Sequence, residues 1–229
     1  NENLVQEMGL SWSAEDIYLK TGIRKRHVSK EECASDLGER AAIQLFEECE
    51  GLKDKVDYIV FVSQSPDYAL PATACLLQSR LGLKKSCGAV DLNQGCSGFI
   101  YGLAFGKSLI ESGLASDVLL ICAETYSKYL DKNDKSTRTI FGDGAAAIWL
   151  NGSDIEAEQI RSFVFGTDGR GKDNLIVRNS GARLENEVSD RLFMDGPEIF
   201  QFTLLTVPKT VREILAKENL KIEDIDYFI

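Results

Sequence analysis

Cys96 is the residue in this chain whose surroundings most favour chemistry. It lies in Asn93-Gln94-Gly95-Cys96-Ser97-Gly98-Phe99, between an apolar segment ending near Leu92 and a longer apolar segment closed by Gly113. Residues 89–92 read as the end of a strand, 93–95 as a polar turn, and an apolar helix is predicted from about residue 97 to a C-terminal stop at Gly113. Unpaired N–H groups at a helix start carry partial positive charge, which favours thiolate over thiol. A cysteine at that junction is therefore placed as a nucleophile. The flanking Gly95 and Gly98 let the backbone turn sharply and approach a bound group closely. The competing reading is a buried structural cysteine, where most free cysteines are found.

Other residues with chemical potential are more scattered. Residues 20–27, Lys-Thr-Gly-Ile-Arg-Lys-Arg-His, form a basic run in an acidic chain. They read either as a solvated turn with arginines in surface pairs or as a contact for a phosphorylated or acidic ligand. Gly142-Asp143-Gly144 marks a tight turn before a run of small residues, and with no helix after it the pattern is weak as a nucleotide motif. Six cysteines, at 33, 49, 75, 87, 96 and 122, include no Cys-x-x-Cys pair, and His27 is the one histidine. That argues against a zinc site and for reduced thiols.

The 229 residues suffice for one large domain or two small ones with a sizeable core. A hydrophobic fraction of 44% beside 27% charged residues is that of a water-soluble globular protein. No apolar run reaches bilayer length, so no membrane is expected and the chain reads as cytoplasmic. A net charge of −10 argues against nucleic acid as a partner.

The elements that must position Cys96 alternate in type. Short helices are predicted over 13–19 and, capped by Ser35, over a segment with Leu37, Ala41, Leu45 and Cys49 on one face and Gly51 after it. Residues 58–62 and 118–123 are continuous apolar runs of the kind that become strands buried on both faces. Residues 72–81 read as a helix stopped by Gly82, and 87–92 as the strand that delivers Cys96. Residues 131–138 read as an exposed loop, 159–166 as a strand, and 166–186 as a long polar loop. A last helix is predicted over 198–218, which Pro208 should kink or divide. Strands alternating with helices argue for an α/β layered fold. The tail Ile225-Asp226-Tyr227-Phe228-Ile229 echoes Val56-Asp57-Tyr58-Ile59-Val60, each after a helix, and suggests a duplicated unit whose second copy stops at that strand.

Taken in order, Thr21-Gly22-Ile23-Arg24 with Arg26-His27, Gly95-Cys96-Ser97-Gly98-Phe99, Phe141-Gly142-Asp143-Gly144-Ala145, Asp168-Gly169 and Met194-Asp195-Gly196 span nearly the whole chain. This ordered set resembles the β-ketoacyl-acyl-carrier-protein synthases of type III, within the thiolase-like superfamily. The resemblance implies an αβαβα layered, internally duplicated fold. It assigns residues 1–155 to a first half carrying the nucleophile and 156–229 to the start of a second half, incomplete here. The family begins with a strand ahead of Asn1 and continues past Ile229, so the chain is expected to be cut at both ends.

The implied chemistry is a decarboxylating Claisen condensation in fatty-acid biosynthesis, run by a homodimer on acyl-thioester and malonyl-acyl-carrier protein without a cofactor beyond phosphopantetheine-borne substrates. Cys96 matches the nucleophile, and its backbone N–H one donor of an oxyanion hole. Thr21, Phe141, Met194, Gly196 and Phe200 match residues that line the pantetheine and acyl channel. Leu70 falls where the family reaches across its dimer to close the partner's acyl pocket. Where many relatives grip coenzyme A with a tryptophan and two arginines, this chain has Asp16, Lys20 and Lys135, which puts coenzyme A as donor in question. The family's histidine and asparagine match no residue here, and His27 reads as structural, so these 229 residues alone are expected not to condense malonyl thioester. A non-catalytic partner subunit and a thiolase-fold synthase of a specialised metabolite are the alternative functions.

Overall fold

Three runs rich in β-branched and aliphatic residues, Tyr58–Val62 (β1), Gly88–Leu92 (β2) and Asp117–Thr125 (β3), pair in parallel, and Asp143–Asn151 (β4) adds antiparallel to β3. The order is β2-β1-β3-β4, so β1 is central and β2 an edge. This computed structural model describes residues 1–9, 11–152, 159–185 and 188–229 and separates into two units, Asn1–Asp154 and Ile155–Ile229. The expected boundary between residues 155 and 156 lies outside the described residues.

The helices of the first unit are Glu2–Met8 (α1), Ala14–Thr21 (α2), Ala34–Glu48 (α3), Leu52–Lys55 (α4), Thr73–Arg80 (α5), Gly98–Glu111 (α6) and Lys135–Arg138 (α7). Helices α3 and α5 cover one sheet face, where Ala34, Ala42, Ala74 and Leu77 meet Ile59, Phe61, Leu119 and Ile121. All eight are fully buried. Helix α6 covers the other face through three glycines one turn apart. A Cβ built on Gly98, Gly102 or Gly106 would stand 2.4 Å from Val62 Cγ1, 2.6 Å from Leu120 Cδ1 and 2.6 Å from Leu150 Cδ1. The helix therefore lies closer to the sheet than any larger residue allows. Its end matches the expectation: Gly113 is left-handed at φ 74°, and the Leu114 N–H reaches Leu109 O.

Several local expectations are corrected. The N-cap of α3 is Cys33 rather than Ser35, whose hydroxyl and N–H are both taken by Asp67. The Ser35 hydroxyl donates to Asp67, and its oxygen accepts from Arg80 Nη1 rather than from a helix N–H. Within 131–138 the chain forms α7, capped by Asp134, because its side chain accepts from Ser136 N and from the buried Thr137 hydroxyl. Asp143 opens β4 opposite Thr125 instead of forming the tip of a tight turn.

Helix α5 depends on a carboxylate from β2. Asp91 accepts from Thr73 N at 2.6 Å and Ala74 N at 2.7 Å, two of the unpaired donors at the helix start. Replacing Asp91 with Ala should cost about 1–2 kcal/mol of stability, read as a lower urea midpoint with unchanged slope. An unchanged midpoint would show that water serves those groups equally well.

In the second unit Leu175–Ile176 (β5) pairs antiparallel with Phe193–Met194 (β6), and Gly196–Glu218 (α8) follows with Asp195 as its cap. Helix α8 runs through Pro208 undivided. Proline removes one hydrogen bond, and the turns on either side carry the helix across it. The strand expected over 159–166 does not form. Ser162 N donates to Glu218 and Phe163 O accepts from Lys217, so helix α8 rather than a neighbouring strand holds this segment. Its extended course still shows in Phe163 and Phe165, two residues apart with rings stacked at 5.8 Å. Residues 225–229 likewise form no strand, with Tyr227 and Phe228 exposed. A short helical turn, Ile222–Asp224, precedes them as α4 precedes β1, which matches the sequence echo. Among the described residues no helix is long and apolar enough to cross a membrane.

Candidate active site

Parallel strands bring their carboxyl ends to one edge of a sheet, which is where α/β folds place ligands. Here the ends of β1, β2 and β3 set residues 63–65, 93–96 and 124–126 side by side, with β1 between the other two. Cys96 stands in the loop after β2, beside the central loop after β1. A turn closed by Gly98 N donating to Gly95 O at 2.8 Å carries it, and α6 starts two residues later. The thiol is exposed. Among the described residues no acceptor takes the Cys96 N–H, which leaves it free to receive a developing oxyanion.

Two other thiols near this sheet are made unreactive by burial. Desolvation pushes Cys87 up to about 11 and Cys122 also to about 11, with the Glu124 carboxylate adding to the second. Both remain thiols at neutral pH. Cys75 on α5 is exposed, so exposure alone selects two of the six. Only Cys96 combines exposure with the sheet edge.

Three residues that carried no motif signal complete the surroundings. Gln64 lies against the turn that carries Cys96, since a Cβ on Gly95 would meet its Oε1 at 2.5 Å. Tyr126 donates its hydroxyl to the same Gln64 oxygen at 2.7 Å and packs on Phe141 at 5.1 Å between ring centroids. Burial pushes the Tyr126 phenol up to about 12, with Glu124, Cys96 and Tyr129 adding to the effect. Glu124 is the next-to-last residue of β3, and its carboxyl is pushed upward by burial against hydrogen bonds from Ser65, Gln64 and Ser63 that oppose the shift. A charged residue at the carboxyl end of an apolar strand is a signal that could have found it.

The remaining positions singled out from sequence distribute as follows. Thr21 ends α2, with its hydroxyl donating to Ile17 O and accepting from Ile23 N. Asp16 closes a capping box with Ser13. Lys20 and Lys135 are brought together over one indole: their ammonium groups stand 3.7 Å and 4.7 Å from the Trp12 ring. Trp12 was not recognised from sequence, because its partners come from positions 20 and 135. Leu70 is 81% exposed on the loop after β1, and His27 is exposed in the turn after α2. Met194, Gly196 and Phe200 belong to the second unit, on β6 and the first turns of α8.

The model of the 3-oxoacyl-[acyl-carrier-protein (ACP)] synthase III family matches residues 90–169, which include Cys96, Glu124 and the whole of β4. A β-ketoacyl-[acyl-carrier-protein] synthase III of Clostridium perfringens is 39% identical over the whole of this chain, which spans 71% of that protein. The chain belongs to the β-ketoacyl-[acyl-carrier-protein] synthase III family. A crystal structure of a 3-oxoacyl-(acyl-carrier-protein) synthase III matches 99% of this chain and 72% of its own, at 43% identity and a TM-score of 0.91. The synthase of Pseudomonas aeruginosa matches at 33% identity, a TM-score of 0.88, and 99% and 68% coverage. The thiolase-like α/β fold expected from the motif order is therefore that of this chain, and the strand–turn–helix around Cys96 is its family segment.

Proposed function

We propose that Cys96 is the acyl-accepting nucleophile of a condensing acyltransferase in fatty-acid biosynthesis. Its thiolate attacks the carbonyl carbon of an acyl-thioester, the carrier's thiolate leaves, and the acyl group stays on Cys96 as a thioester. Malonyl-acyl-carrier protein then loses carbon dioxide. The carbanion attacks the acyl carbon and expels the Cys96 thiolate, leaving a 3-oxoacyl carrier. The observation that carries this reading is the exposed thiol, with a free backbone N–H, at the carboxyl ends of three parallel strands. Exposing the purified protein to an acyl-thioester and mapping peptide masses tests it. An adduct on Cys96 is the expected result, and first reaction at Cys75 would overturn the assignment.

The donor carrier is a protein rather than free coenzyme A. Asp16 is committed to its capping box, and Lys20 and Lys135 lie on Trp12 without the planar fork that grips phosphate in two places. The same acyl group should reach Cys96 faster from acyl-carrier protein than from coenzyme A. Equal efficiencies would remove the argument.

The working state is a cytoplasmic homodimer. Strand β2 is a sheet edge, and the exposed Phe99 and Ile100 follow it on α6, with Leu70 on a neighbouring loop. Sedimentation of the protein at micromolar concentration should show the dimer. Monomer alone would count against it.

A further inference from the structure

Resting on the reading of Cys96 as the nucleophile, we propose that Glu124 is a positioning residue, holding the loop after β1 so that Gln64 braces the turn carrying Cys96. The chain of contacts is continuous. One carboxylate oxygen of Glu124 accepts from Gln64 N at 2.8 Å, and the other accepts from Ser65 Oγ at 2.6 Å and Ser63 Oγ at 3.4 Å. The Ser65 hydroxyl in turn accepts from Thr125 N at 2.8 Å, which ties the loop back to β3. With its backbone fixed in this way, Gln64 sets its side-chain oxygen against Gly95, and that same oxygen accepts from the Tyr126 hydroxyl.

The carboxylate form is essential to this geometry, because an ionised carboxylate only accepts hydrogen bonds. Ser63, Ser65 and Gln64 all point donors at it. Protonation turns one oxygen into a donor and sets it against the donors around it. The tight Ser65 and Gln64 contacts then loosen, and the brace on Gly95 loosens with them. Burial brings that protonation nearer to neutral pH than for an ordinary glutamate. The titratable groups that face Glu124 are Cys122 on its own strand and Tyr126 and Tyr129 beyond it. All three are shifted upward. Beyond these, Cys96 faces Tyr126, Cys33 faces Tyr129, and Asp143 on β4 accepts from Ser127.

The experiment measures alkylation of Cys96 and Cys75 by iodoacetamide in the same protein, by peptide mass, from pH 5 to 8. Cys75 is exposed on α5 and serves as the internal reference for alkylation of an accessible thiol. Where both rates rise tenfold per pH unit, their ratio is flat unless another group titrates. In the unsubstituted protein the ratio should fall as Glu124 takes its proton. In Glu124→Gln it should lose that inflection and lie about tenfold or more below the value at pH 8, the scale on which small misplacements of a reacting group act.

Gln64→Ala removes only an exposed side chain and should lower the ratio by the same factor, with the double variant no worse than either single one. Glu124→Asp, which withdraws the oxygens by one methylene, replaces Glu124→Gln if that variant does not fold. A ratio unchanged in the Glu124 variant, or effects of Glu124 and Gln64 that multiply independently, would overturn the proposal. Acylation by an acyl-thioester is measured alongside. If the unsubstituted protein is alkylated at Cys96 but never acylated, the acyltransferase reading fails, while the alkylation ratios still decide the role of Glu124.

Discussion

Replacing Cys96 with Ala should abolish transfer of an acyl group to the protein, with a fall of roughly 10³-fold or more in any residual turnover, because a covalent step has no substitute without its nucleophile. The substitution removes an exposed sulfur and leaves the Gly95–Gly98 hydrogen bond in place, so stability should hardly change. Intact mass after exposure to the acyl-thioester reads the outcome: one acyl increment in the unsubstituted protein, none in the variant. Cys87 and Cys122 cannot stand in, since burial holds both as thiols near neutral pH. Cys75 is the informative control. If Cys96→Ala still gained one acyl group, exposure rather than position would be choosing the thiol.

Replacing Gly98 with Ala should destabilise the protein by about 1–3 kcal/mol through overpacking and should also slow acylation of Cys96. The new Cβ would stand 2.4 Å from Val62 Cγ1 and 3.1 Å from Gln94 Cβ. Val62 cannot give way readily. It is β-branched, 4% exposed, and paired on both sides with Leu92 and Cys122. Helix α6 must move instead, and it takes with it the turn that Gly98 N closes on Gly95 O.

Denaturant unfolding measures the first effect and the acylation rate the second. Val62→Ala opens the space at the cost of a cavity when made alone. Combined with Gly98→Ala it should recover part of the loss, with a coupling of about 0.5–3 kcal/mol as expected for residues in direct contact. Strict additivity of the two would show that the contact does not limit how α6 seats on the sheet.

Local chemistry made Cys96 and its setting readable in the sequence. A strand end, a polar turn with two glycines and an apolar helix follow one another within about twenty residues, and each leaves its own periodicity or stop signal. The same holds for β1 and β3, whose unbroken apolar runs became the buried centre of the sheet. Short-range competition for hydrogen bonds was less readable. Ser35 looked like a cap until Asp67, thirty-two residues away, took its hydroxyl, and Asp134 nucleated α7 in a stretch that composition alone marks as loop.

What surrounds the thiol was decided by strand order. Gln64, Gly95, Glu124 and Tyr126 become neighbours because β1 runs between β2 and β3 with all three parallel, an arrangement no window of sequence contains. Trp12 gathers Lys20 and Lys135 for the same reason: a cation finds an aromatic face through the fold, not through spacing. The segment 159–166 shows the converse. Its alternation favours extended backbone, and the Phe163–Phe165 stack keeps it, but a strand exists only when a neighbour offers a ladder. Helix α8 offered side chains instead. Residue type and local order thus determined the exposed thiol's place between a strand and a helix, while long-range pairing decided which side chains surround it.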